Sequence, residues 1–285
     1  MLLETIVCGN KSDSIINNIN SIVCNFEKNN IRMGMSESID NNIHFVNVIC
    51  RDEDYNENIE NKFYYYLSEV LYKYTATEFC SKKLENKLKS TYFFLGDDEI
   101  KDVKHNCIQT MLKDIPVNDN GIYFINRKNQ IIQKINDCIK ENHEININGF
   151  VTFRTKEIEN EFDVIIDKIV ENYMVEKEYD EFIKLLKYFV DIQESKIDEL
   201  NIYVDKYGNY LLKDKYGKDI ENKIIEGLCD VKTTGAVSID DILISGLITL
   251  SPKKIIIHSR DNFKNKELIE TIEKVFESKV AFCDM

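Results

Sequence analysis

The chain has 285 residues, 43% hydrophobic and 31% charged, with 37 Lys and Arg against 50 Asp and Glu. That length admits one large domain or two to three small ones, and the apolar content is too high for a chain disordered throughout. A net charge of -13 repels phosphate backbones at long range, which disfavours a nucleic-acid coat protein, and no nucleic-acid partner is expected.

Two Pro and ten Gly mean few hard helix stops, so long helices joined by Gly, Asn and Asp turns are expected. Met1 to Cys8 is apolar but carries Glu4 and no basic flank, so it does not read as a signal peptide. Ile242 to Leu250 is about half the length a bilayer needs, so no membrane span is expected. The cysteines, at positions 8, 24, 50, 80, 107, 138, 229 and 283, form no CxxC pair, and His44, His105, His143 and His258 are scattered without a zinc-binding spacing. The expectation is a cytoplasmic chain with reduced thiols, no bound metal and no cofactor.

In chain order, Leu2 to Cys8 reads as a buried strand. Ser12 or Asp13 caps a helix with Ile15, Ile16, Ile19, Ile22, Val23 and Phe26 on its apolar positions. Ile31 to Ser36 and Ile43 to Cys50 read as a hairpin around Asp40-Asn41-Asn42. Ile59, Phe63, Leu67, Leu71, Leu84 and Leu88 keep a helical period, which predicts one long helix. A helix follows Asp97-Asp98-Glu99, and another spans about Ile122 to Glu141, although Gly121 to Ile125 alone would also suit a strand. Gly149 is expected to break the chain. Phe162, Ile165, Ile166, Ile169, Val170, Tyr173 and Met174 then make a regular helical face.

A second register, Tyr179, Phe182, Ile183, Leu186, Phe189 and Val190, follows the polar run Glu176-Lys177-Glu178, so a bend or helix junction is expected near 175 to 178. From Asn201 the period changes to alternation around Lys206-Tyr207-Gly208-Asn209, a hairpin. Helices at about Asp219 to Cys229 and Ser238 to Leu250, the strand Lys254 to His258, a helix from Asn265 to Glu277 and the strand Val280 to Cys283 complete the chain. The fold class expected is α+β, with a small N-terminal α/β unit (1–52), a helical middle (53–198) and a C-terminal β-hairpin plus α/β unit (199–285).

No P-loop, GxGxxG or GxSxG occurs, so phosphate-cradling, dinucleotide and hydrolase-elbow chemistry lack support. Glu176, Glu178, Asp180, Glu181, Asp191 and Glu194 are oxygen ligands in type, but their spacing also suits a solvated helix face interleaved with Lys177 and Lys184. Arg154 is a candidate carboxylate anchor, with Glu176 or Glu178 as its partner in a clamp. Lys254 and His258 flank the strand Ile255-Ile256-Ile257, and His258 sits at its carboxyl end, where ligands of α/β units bind.

The segments Gly149-Phe150-Val151-Thr152-Phe153-Arg154, Asn172-Tyr173-Met174-Val175-Glu176-Lys177-Glu178-Tyr179, Phe182 to Glu194 and Leu247 to His258 resemble the YtxC-like sporulation protein family. The chain departs from that pattern at Thr155-Lys156-Glu157-Ile158. The resemblance runs from about residue 149 to the C-terminus and implies a cytoplasmic protein of spore-forming bacteria, associated with sporulation, with no assigned catalytic activity. Its motif contributes Arg154, Glu176, Lys177, Glu178, Tyr179, Asp191, Gln193, Lys254 and His258 as binding or structural candidates. The reading is an interaction or regulatory protein with an unidentified protein partner. The alternative is a metal-dependent, hydrolase-like enzyme using the carboxylates from Glu176 to Asp191.

Overall fold

The computed structural model describes residues 1–9, 13–113, 120–140, 144–153, 155–205, 209–220, 238–258, 260, 263 and 265–283. The chain is α+β and divides into two compact units, Met1–Tyr173 and Met174–Met285. The boundary falls within one helix.

The first unit opens with β1 (Leu2–Cys8), α1 (Asp13–Lys28), β2 (Met33–Asp40) and β3 (Ile43–Cys50). Asn41 and Asn42 hold φ of 47° and 64°, the left-handed pair that a two-residue hairpin turn demands, and Asp40 pairs with Ile43 across it. The helices α2 (Glu57–Lys82), α3 (Leu84–Thr91), α4 (Asp97–Leu112) and α5 (Gly121–Lys140) follow, then β4 (Glu144–Asn146) and α6 (Ile147–Phe153). The sheet order is β2-β3-β1-β4, with β4 parallel to β1.

Two expectations are corrected here, and one strand is added. The long helix after Asp52 is two helices, parted at Lys83, whose φ is displaced to -117° while its N–H still donates to Phe79 O at 2.9 Å. The strand β4 had no periodic signal, being three residues long. Gly149 is no break: it lies inside α6 and its N–H donates to Asn146 Oδ1 at 2.9 Å, which caps the helix start. The residues Gly121 to Ile125 are helical.

The core of this unit runs through Phe63, Leu67, Leu71 and Tyr72 of α2, Ile131, Ile132 and Ile135 of α5, and Phe162, Ile165 and Ile166 of α7 (Thr155–Ile192). The ring of Phe162 meets Phe79 at 5.0 Å and Tyr72 at 6.1 Å between centroids, and the Tyr72 hydroxyl donates to Met111 O at 3.1 Å. The polar run at 175 to 178 does not end α7, so no helix junction occurs there.

The second unit holds the C-terminal half of α7, β5 (Glu199–Val204), β6 (Tyr210–Asp214), α8 (Ile239–Leu250), β7 (Lys254–His258), α9 (Lys266–Phe276) and β8 (Val280–Cys283). Its sheet order is β6-β5-β7-β8, with β5, β7 and β8 parallel and β6 antiparallel. Ser238 Oγ caps α8 by accepting from Asp241 N at 3.1 Å, as its position before an apolar run leads one to expect. The helix expected at Asp219 to Cys229 and the turn at Lys206-Tyr207-Gly208 lie outside the described residues, apart from Asp219 and Ile220. Leu200, Ile202, Leu212, Ile255 and Ile257 of the sheet pack with Ile183, Leu186 and Val190 of α7, and with Leu247 of α8 and Ile272 of α9. The described helices of this unit therefore cover one face of its sheet.

Candidate functional site

The C-terminal half of α7 carries two apolar stripes. Tyr179, Ile183, Leu186 and Val190 lie one helical turn apart and face the sheet. Tyr179 is half-buried, its hydroxyl 2.9 Å from Thr271 Oγ1, with the Lys274 ammonium 4.6 Å above its ring. On another side of the helix, Val175, Phe182, Leu185, Phe189 and Ile192 are each between 40% and 61% exposed, and Tyr188 stands beside them, also exposed. Sequence periodicity places Phe182 and Phe189 on the core face. The structure does not, because each residue step turns the helix by about 100° and the sheet covers only the sector of Ile183, Leu186 and Val190.

With Glu178 included, the exposed positions 175, 178, 182, 185, 189 and 192 alternate steps of three and four, the spacing of a coiled-coil seam. The sequence reading missed Val175, Leu185, Tyr188 and Ile192 as a surface, although that alternation was its signal.

Of the motif residues, Glu176, Glu178 and Asp191 are exposed on α7, Gln193 is exposed just past its end, and Lys177 Nζ lies 3.8 Å from Glu181 Oε1. Among the described residues no group of three or more His, Cys, Asp and Glu is arranged to hold a metal ion. Arg154, and with it the clamp to Glu176 or Glu178, lies outside the described residues.

Lys254 and His258 lie on the other face of the sheet, because strand alternation turns them away from Ile255 and Ile257. Lys254 Nζ is 3.6 Å from Glu199 Oε2. The His258 ring is buried, stacked on Tyr203 at 4.0 Å between centroids and 10° between planes, with Nε2 2.9 Å from Asn201 Oδ1. Because Oδ1 only accepts, Nε2 carries the proton in this assignment. Burial pulls the His258 pKa below the ordinary histidine value, against the opposing Glu199 carboxylate, so the ring is neutral at pH 7. This arrangement anchors a strand end. The described motif candidates therefore separate into two groups, those of α7 over one face of the sheet and Lys254 and His258 on the other.

The first unit holds a cleft of about 630 Å³ lined by Lys82, Lys83, Lys87, Glu159 and Asp163 among others. Its lysines already serve carboxylates: Lys82 binds Glu78, Lys83 binds Glu159, and Lys87 meets Asp163 at 2.8 Å. In the same unit Glu4 on β1 is fully buried, its carboxyl beside the Tyr64 hydroxyl and the Thr5 backbone N–H. The Tyr64 hydroxyl also lies 3.1 Å from Leu3 O, to which it donates. Burial raises the Glu4 pKa from its ordinary 4.5 to about 8.

The profile described as the YtxC-like family matches residues 65–281, which takes in the seam, the sheet of the second unit and most helices of the first. The chain belongs to the YtxC-like family. It is 24% identical over 197 residues to "Uncharacterized protein YtxC" of Bacillus subtilis (strain 168), covering 68% of this chain and 67% of that protein. No solved structure matches it. Among the described residues no helix is long and apolar enough to cross a membrane.

Proposed function

We propose that this YtxC-like chain is a cytoplasmic, sporulation-associated protein that acts by binding a protein partner, and that the exposed seam of α7 is its docking surface. One observation carries the reading: six large apolar side chains stand exposed along a helix whose other stripe is already buried in the core. Isolated exposed apolar residues are ordinary, but a contiguous row of them on a regular element marks an interaction site. The carboxylates from Glu176 to Asp191 stand spread along the helix rather than converging, and the resemblance to a sporulation family supplies the cellular setting.

A complementation assay tests this in a spore-forming bacterium lacking its own YtxC-like protein. Wild type restores spore yield, while Phe182→Glu and Leu185→Glu behave like the deletion. Glu176→Ala and Asp191→Ala remain active. The reverse pattern, loss with the carboxylate variants and retention with the seam variants, moves the metal-dependent alternative ahead.

A further inference from the structure

We propose that the occupant of the α7 seam is a second copy of this chain, packed antiparallel about a two-fold axis between Ile183 and Lys184. This rests on the reading of the seam as a docking surface and names its partner. A two-fold contact requires a surface complementary to itself. About that axis, Val175 of one copy meets Ile192 of the other, Phe182 meets Leu185, and Glu178 meets Phe189, so the a-type and d-type positions of the repeat interleave in every layer.

Glu178 decides the direction. A parallel pair would set the two Glu178 carboxylates against each other inside an apolar seam, and like charges removed from water repel strongly. The antiparallel pair sets each against Phe189 at different heights.

The area is sufficient. At roughly 150–200 Å² for a fully exposed large side chain, the six residues offer about 500 Å² per copy, so a pair covers about 1,000 Å², where specific interfaces begin. The net charge of -13 on each copy opposes association at long range, so the dimer tightens as salt rises.

Sedimentation velocity on the full chain, across a concentration series, tests the proposal. Wild type shows a monomer–dimer equilibrium. Phe182→Glu and Leu185→Glu each weaken it at least tenfold with helix content by circular dichroism unchanged, Glu178→Leu tightens it at least tenfold, and Asp180→Lys leaves it within threefold. Benzoylphenylalanine placed at 175 crosslinks to the peptide carrying Ile192. A wild type that stays monomeric throughout, or crosslinks that join 175 to 175, overturns the proposal. If the seam variants abolish spore yield while wild type is monomeric, another protein's helix occupies the seam: the second copy falls and the docking surface stands. If the dimer is lost with spore yield intact, the self-contact stands and its role in sporulation falls.

Discussion

Phe182 and Ile183 are consecutive on α7 and stand in opposite surroundings: Ile183 is buried against the sheet of the second unit, while Phe182 is half exposed on the seam. Truncating a buried Ile removes its transfer energy and leaves a cavity, whereas a surface truncation does neither. Ile183→Ala should cost about 2–4 kcal/mol in denaturant unfolding. Phe182→Ala, diluted below self-association, should stay within about 0.5 kcal/mol of wild type. Equal losses would mean that Phe182 is a core residue after all.

The buried Glu4 carboxyl makes the first unit pH-sensitive in a defined direction. Its folded pKa of about 8 lies above its ordinary 4.5, so the folded state holds the proton more tightly than the unfolded chain. Its contribution is intact below pH 4.5 and is lost as pH rises through about 8, a change of a few kcal/mol. Glu4→Gln, which keeps the shape without the titration, should flatten that slope between pH 5 and 8 and be more stable than wild type at pH 8. An unchanged slope would show that Glu4 does not titrate in this window.

His258 works in the opposite sense. Its pKa is lowered by burial, so the unfolded chain takes up a proton first as pH falls below 6.5. The stability held by its neutral ring is complete above pH 6.5 and is lost as pH drops through the lowered folded value. In a Glu4→Gln background, unfolding between pH 7.5 and 5 should show this loss, and proton NMR should give His258 a midpoint below 6.5. A His258 midpoint at or above 6.5 would contradict the Tyr203 stack as a desolvating environment.

Elements whose period and punctuation agree were legible in the sequence. The helix from Asp13, the hairpin at Asn41-Asn42, and the strands Lys254–His258 and Val280–Cys283 each combine an apolar period with a turn or cap residue. The break at Lys83 was not, because Leu84 and Leu88 continue the apolar period of α2 and lysine is a good helix former. The two stripes of α7 merged for a related reason: Phe182 and Ile183, like Phe189 and Val190, are adjacent apolar residues, and composition cannot say which of each pair the sheet covers. The surroundings of His258 followed the same rule. Lys254 and His258 were found by their place at the two ends of a strand, while Asn201 and Tyr203, which hold the His258 ring, come from a strand about 55 residues away in sequence and show only as alternation.

The hairpin turn gives the last test. Asn41 and Asn42 both sit in the left-handed region, with exposed side chains, so substitutions there act through the backbone rather than through packing. Glycine adopts this conformation without strain and Asn-Gly is the favoured pair for such turns, so Asn42→Gly should leave stability unchanged or raise it by up to about 0.5 kcal/mol. A β-branched residue strains the same position, and Asn42→Val should cost about 1–2 kcal/mol. The turn also sets register: Glu37 pairs with Val46 and Met35 with Val48, and a slip by one residue would carry the buried Val46 and Val48 to the wrong face. Hydrogen exchange should therefore show lost protection across β2 and β3 in Asn42→Val while α4 keeps its rates. An Asn42→Val chain with wild-type stability and wild-type protection would show that the turn does not hold the register.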